Sequence, residues 1–279
     1  MTRQTLRAPV AITGIALHSG AQVAMRLVPA VPGMGILFRR IDLGAEIPAR
    51  FDHVAETRLG TVLAQGEARV GVVEHLMAAC AGLQIDDLLV ELDGPEPPIL
   101  DGDSLSYLTL MDSAGLAQSH APRTAIRVKR PVTVTQGDAT ASLLPADAPG
   151  FFYALDYPGI APQEMDFAFT PDGFRSRIAP ARTFGFLSEL EGLNSMGLAR
   201  GASLDNTLAL DETGVVNKDR QRFADEFVRH KILDAIGDMA LAGAPLLARF
   251  EGRKSGHTTN NALLRALFAD PAQYEIVPF

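Results

Sequence analysis

His230, Asp234 and Asp238 recur at four-residue spacing in the last fifth of the sequence. On a helix, that spacing puts all three on one face within two turns. Phe223, Phe227, Val228, Ile232, Leu233, Ile236 and Met239 are spread around most of the same circumference. The pattern predicts a helix from about Arg220 to Leu241 that is buried on several sides, and buried charges without partners cost several kcal/mol. A His and an Asp one turn apart can both reach one Zn²⁺, which accepts imidazole nitrogen and carboxylate oxygen in a tetrahedral site. The same spacing also describes simple hydrogen-bonded neighbours on a helix.

Glu74-His75 offers a third ligand with a carboxylate beside it. Three protein ligands leave one position open, which separates a catalytic zinc site from a closed structural one. Standing alone, the pair would read as a satisfied core histidine and a capping carboxylate. Lys254-Ser255-Gly256-His257 forms a turn after a strand, where Gly256 permits the tight backbone that presents His257 to a cleft. If Asp238 bonds that imidazole, its cationic form is favoured and the ring can give a proton to a departing amine. A single loop histidine is otherwise incidental.

The elements that must position these segments follow from hydrophobic period. Val23, Met25 and Leu27 alternate with Ala24 and Arg26, and Ile36-Leu37-Phe38 follows the turn at Pro32-Gly33, so the N-terminal third reads as strands. After Gly71 the pattern becomes helical, through Leu76, Ala79 and Leu83, and the strand Leu88 to Leu92 comes next. Asp101 or Asp103 can cap a helix containing Leu105, Leu108 and Met111. Ser119 to Arg123, with Pro122, marks a boundary between a first domain, 1–121, and a second, 122–279. The second half runs through strands to about Phe169, a short helical region near Leu187 to Leu193, the long helix, a strand from Leu246 to Phe250 and a helix from Asn260 to Phe268. Both halves pass from sheet into helix, strand and helix, which predicts an internal structural duplication.

Composition excludes several classes. The 279 residues are 47% apolar with every long stretch broken by charge, as in a compact globular protein. A net charge of −8 argues against a nucleic-acid-binding protein, which needs a basic footprint. Arg229, Lys231, Arg249, Arg253 and Lys254 do gather in one stretch, either to hold a small anion or as a solvated face. Cys80 is the only cysteine, so no internal disulfide forms, and its alanine-rich surroundings read as a small buried residue. Residues 8–25 lack formal charge but are interrupted by Thr13, Gly14, His18, Ser19, Gly20 and Gln22, which is no signal peptide. No segment approaches the roughly 20 apolar residues of a membrane helix. A soluble, cytoplasmic protein without stable membrane insertion is expected.

Six ordered motifs resemble the UDP-3-O-acyl-N-acetylglucosamine deacetylases of lipid A biosynthesis. They are Thr13 to Gly20; Val73-Glu74-His75-Leu76 through Leu83; Pro98-Ile99-Leu100-Asp101-Gly102; Ala181-Arg182-Thr183-Phe184-Gly185-Phe186; Phe227 to Lys231 with Asp234 to Asp238; and the Lys254 to His257 turn. The resemblance implies an α+β fold of two similar domains, each a mixed sheet with helices, the helices layered between the two sheets. It implies Zn²⁺ held by His75, His230 and Asp234, polarising water and the acetyl carbonyl, with Glu74 as general base and His257, kept cationic by Asp238, as general acid. Lys231 and Thr183 would stabilise the oxyanion. An inserted βαβ unit near 187–210 would make an acyl passage, with Leu190, Leu193, Leu198, Ala199 and Ser203 as candidate lining. Leucines at such spacing are also ordinary core residues.

Phe184, Lys231 and Lys254 would contact sugar and diphosphate, and the substrate would be a small molecule bound by a monomer. His18 matches its motif without an assigned role, and contacts of the variable 55–61 strand are not assigned. Ala202 departs from the Gly frequent in the family at this position. Two rivals stand at this point: the same machinery acting on another N-acyl sugar or amide, and a non-catalytic binder in which metal clamps two domains.

Overall fold

The computed structural model describes residues 1–279. In the first half, β1 (Thr2–Leu6), β2 (Val10–Ile15), β3 (Gln22–Pro29), β4 (Ile36–Arg40) and β5 (Ala45–Pro48) lead to three short strands, β6 (Val54–Glu56), β7 (Val62–Gln65) and β8 (Ala68–Val70). Then come α1 (Glu74–Gly82), β9 (Leu88–Leu92), α2 (Leu105–Ala114) and β10 (Leu116–Pro122). The second half opens with β11 (Thr124–Val128), β12 (Val132–Gln136), β13 (Ala139–Pro145), β14 (Gly150–Leu155), β15 (Gln163–Ala168) and the short turn α3 (Pro171–Gly173). It continues through β16 (Phe184–Phe186), α4 (Leu187–Ser195), β17 (Leu208–Asp211), β18 (Gly214–Val215), α5 (Glu226–Ala240), β19 (Leu246–Arg253), α6 (His257–Ala269) and β20 (Tyr274–Pro278).

The two large sheets repeat one topology. Strand order is β2-β3-β9-β4-β5 in the first, and β12-β13-β19 with β14 and β15 beyond in the second. In each, the central strand is antiparallel to one neighbour (β9 to β3, β19 to β13) and parallel to the other (β9 to β4, β19 to β14). Val90 lies between Leu27 and Phe38, as Phe250 lies between Leu143 and Phe151, and all six are buried. Along β3 only Val23, Met25 and Leu27 are buried, because successive side chains alternate faces and one face looks to solvent. This is an α+β fold with the duplication that the element order predicts.

One cluster of 55 buried apolar residues runs from the first sheet through α1 and α5 into the second, so no solvent layer separates the halves. α2 rests on β2, α6 on β12 and β13, α5 on β14 and β15, and α1 on α5. α1 is buried at every position except Ala81, and its Ala78, Ala79, Cys80 and Gly82 are small enough for close helix packing. Burial raises the Cys80 thiol to about 12, which keeps it inert.

Five features differ from the sequence expectation. The long helix begins at Glu226 rather than Arg220, because the Glu226 carboxylate accepts the N–H groups of Arg222 and Phe223 at 2.5 and 3.2 Å and turns the preceding chain aside. The last helix begins at His257, three residues early, with Gly256 extended before it and the Asn260 N–H on the Gly256 carbonyl at 2.9 Å. Ser119 to Pro122 lies in the strand β10, whose polar sequence is held extended by pairing with β1. β20 was not expected and pairs antiparallel with β11. The parallel pair β16 and β17 encloses α4, a βαβ crossover that starts at Phe184, ahead of the expected 187.

Candidate metal centre

α5 carries the core of the site on one face. His230 Nε2 lies 3.3 Å from Asp234 Oδ1, one turn away. From the other half, His75 at the second position of α1 brings Nε2 to 3.6 Å from the same oxygen. The donor atoms of all three residues lie within 4.8 Å of one another, and all three residues are buried. Gly237 allows that meeting: a Cβ there would overlap the backbone carbonyl of Glu74, so the first turn of α1 rests directly on α5.

The proton positions show what this cluster needs. His230 Nδ1 is 3.0 Å from the Ala181 carbonyl, which can only accept, so Nδ1 carries the hydrogen. Burial lowers this imidazole to about 4 despite Asp234, so the ring is neutral and Nε2 is a bare lone pair. It points at Asp234 Oδ1, which is buried and accepts no hydrogen bond. His75 Nδ1 is likewise buried without a partner. The lone pairs of His230 Nε2 and Asp234 Oδ1 face each other with no hydrogen between them and repel unless a cation sits there, so with His75 Nε2 beside the same oxygen the three residues fit a metal. Burial works against the Asp234 charge, but Lys231 and His230 hold its carboxyl well below the usual range, ready as a ligand. Lys231 Nζ donates to Asp234 Oδ2 at 2.8 Å.

An acid and a base flank this point. Burial raises Glu74 above the ordinary carboxylate value. Its Oε1 lies 3.6 Å from His257 Nε2, and its Oε2 accepts the Thr61 N–H at 2.9 Å. His257 Nδ1 donates to Asp238 Oδ2 at 2.9 Å. Burial pulls the His257 imidazole down, but Asp238 and Glu74 outweigh it and raise the ring to about 9. His257 is therefore protonated at neutral pH even at a helix N-terminus, where the dipole opposes a cation.

The remaining expected residues divide. Phe184 stacks edge-on to Phe227 and His230, with ring centroids 4.9 and 6.1 Å apart. Thr183, half-buried beside it, is fixed through its N–H to Gly102 O at 2.8 Å. Leu190 and Leu193 on α4, with Leu198 and Ala199 after it, are half-buried and Ser203 is exposed; no residue of α4 is buried. These leucines are therefore open apolar surface and not core. Lys254 stands apart, its Nζ on Asp138 at 3.1 Å with the side chain 40% exposed.

His18 ties the insert to the first half. Its Nδ1 accepts from Ala199 N–H at 3.3 Å and its Nε2 faces the Leu59 carbonyl at 3.0 Å. Sequence reasoning missed Thr61 and Asn260, both on Asp238. Asn260 lies three residues after His257 on the same helical face, a usable signal; Thr61 lies in a loop and has none. A cavity of about 410 Å³ lies between the halves elsewhere, against Met77, Ile236 and Met239, and contains none of the cluster residues.

A buried group of two histidines and an aspartate that could hold a metal, with a proton acceptor on one side and a donor on the other, fits a metal-dependent hydrolase. Comparison with known proteins specifies it further. A family model described as UDP-3-O-acyl N-acetylglycosamine deacetylase matches residues 3–269, and the chain belongs to that family. A UDP-3-O-acyl-N-acetylglucosamine deacetylase of Myxococcus xanthus is 47% identical over 280 residues, covering 99% of this chain and 89% of that protein.

Proposed function

We propose that this chain hydrolyses the N-acetyl group of UDP-3-O-acyl-N-acetylglucosamine to the free amine and acetate, the committed step of lipid A biosynthesis. Family membership supports the substrate class. The observation that carries the chemistry is the unpartnered Asp234 Oδ1, faced at 3.3 and 3.6 Å by two imidazole nitrogens between Glu74 and His257.

Zn²⁺ is the proposed ion at His75, His230 and Asp234, a donor set that also accepts other divalent metals. Bound there, it would supply Lewis-acid polarisation of the acetyl carbonyl and make water acidic enough to react near neutrality. Glu74, ionised, takes the proton of the attacking water. His257, oriented by Asp238, gives its Nε2 proton to the departing nitrogen, which cannot leave as an anion. Lys231 stays charged beside Asp234 and, with the Thr183 hydroxyl, would offset negative charge on the carbonyl oxygen.

Phe184 is proposed to pack against the sugar and Lys254 to meet the diphosphate after leaving Asp138. Leu190, Leu193, Leu198, Ala199 and Ser203 are proposed to line the acyl passage, supported by their open position around α4. The first domain is proposed to end near 121. A monomer is proposed. No helix is long and apolar enough to cross a membrane, and action in the cytoplasm without nucleic-acid partners is proposed on the net charge of −8 and the nucleotide substrate.

Elemental analysis of purified protein together with mass spectrometry of its products tests the reading. Acylated UDP-N-acetylglucosamine should lose one acetyl group in proportion to bound zinc. Equal turnover of the substrate without its acyl chain would remove the acyl passage, and no deacetylation by the metal-loaded protein would end the proposal.

A further inference from the structure

The loop between β6 and β7 delivers one residue into the site that neither the metal nor the proton transfers require directly. Thr61 is 1% exposed, and its backbone N–H and its hydroxyl are both engaged in the site. Its backbone N–H donates to Glu74 Oε2 at 2.9 Å, and its hydroxyl donates to Asp238 Oδ1 at 2.6 Å. The other Asp238 oxygen, Oδ2, accepts from His257 Nδ1 at 2.9 Å and Asn260 Nδ2 at 2.8 Å.

We propose that Thr61 is a positioning residue which sets the general base with its backbone and, through Asp238, the general acid with its side chain, so that one residue fixes the acid and base relative to each other. The proposal rests on the deacetylase reading above and extends it.

A carboxylate held at only one oxygen can rotate about its Cβ–Cγ bond. Asp238 is held at both, so its plane is fixed, and the imidazole it bonds takes its orientation from that plane. The donor on Oδ1 comes from the first half, while those on Oδ2 come from α6 in the second. Without the hydroxyl, Oδ1 is buried with no donor, and the carboxylate gains by turning toward its remaining partners. The His257 ring would follow, moving Nε2 from the place where it meets the leaving nitrogen. A threonine suits the task because its β-branch limits χ1 and so aims the hydroxyl.

Thr61→Val keeps the shape and the backbone donor while deleting the hydroxyl. It should lower kcat about 10- to 100-fold, the scale of a small misplacement of a reacting group. KM and bound metal should stay near the wild-type values. Thr61→Ser restores the donor and should recover kcat to within about threefold of wild type. In an Asp238→Asn background, Thr61→Val should cost less than about threefold more, because a residue acting through Asp238 has little left to lose. A crystal structure of Thr61→Val should show the Asp238 carboxylate rotated.

Wild-type kcat in Thr61→Val overturns the proposal. So does Thr61→Ser being as impaired as Thr61→Val, which assigns the residue to packing, or full additivity with Asp238→Asn. A Glu74→Gln control keeps the two readings apart. If Glu74→Gln turns over like wild type, the deacetylase mechanism itself fails; if it is inactive while Thr61→Val keeps wild-type kcat, only the role of Thr61 fails.

Discussion

In the first half a small sheet, β6 to β8, is inserted between the fifth strand of the repeat and the helix that follows; in the second, β16, α4, β17 and β18 occupy the same place. The flanking strands and helices correspond one for one, so the halves differ mainly in what these insertions deliver. The first brings Thr61 onto Glu74 and Asp238. The second brings Thr183 and Phe184 beside His230 and carries the half-buried leucines of α4. The equivalent helices also contribute differently: α5 from the middle of one face, α1 from its first turn. A duplicated scaffold thus supplies two helices in contact, and the insertions add different things: hydrogen-bond donors to Glu74 and Asp238 on one side, an aromatic ring at His230 and open apolar surface on the other.

Each half can be broken separately. The largest effect is expected from the shared metal. His230→Ala or His75→Ala should abolish turnover and release the ion, seen by elemental analysis, although the ligands come from different halves. If either variant keeps stoichiometric metal, the site is not built across the interface.

Glu74→Ala should lower turnover by about 10²- to 10⁴-fold with metal and fold retained, the usual size of a lost general base. Wild-type turnover would remove Glu74 from that role.

The pH dependence sharpens the division of labour. In the proposed mechanism Glu74 works ionised, and burial raises it, so the rate should fall as pH drops through that raised value. In the same mechanism His257 works protonated, so the rate should also fall as pH rises through about 9. The profile should be bell-shaped, and His257→Gln should flatten the alkaline limb. An unchanged alkaline limb in that variant would assign the fall to another group.

Gly237→Ala tests the contact between the helices. The added methyl must displace the Glu74 backbone, and overpacking of this kind costs about 1–3 kcal/mol, measurable by urea unfolding. Metal affinity should drop with it. A variant as stable and as metal-rich as wild type would show that α1 can shift freely.

The smallest effect is expected from Leu193→Ser on α4, about 3- to 10-fold in kcat/KM for the acylated substrate, the size of a half-buried leucine's lost contact. The unacylated analogue should be untouched. Equal losses for both substrates would place Leu193 in the scaffold instead.

Much of this is legible in the sequence. The 3.6-residue period of α5 fixes His230, Asp234 and Asp238 on one face, and alternation in β3 identifies its buried side, because local geometry alone dictates both. The element order exposes the duplication. Residue types left a metal site and hydrogen-bonded neighbours both open, and the resemblance of the six ordered motifs to one family supplied the zinc and acid–base reading.

What only the tertiary structure decided is where segments far apart in sequence touch. Thr61 has no periodic signal and is 177 residues from the Asp238 it bonds. β10 has a polar sequence and is a strand because β1 pairs with it. Lys254 belongs to the basic stretch, yet its charge is spent on Asp138. Gly237 looks like a weak point in a helix until Glu74 is seen against it. Helical and strand periods are properties of neighbouring residues; the partner of a loop hydroxyl or the reason for a buried glycine depends on how the halves pack, which no local pattern encodes.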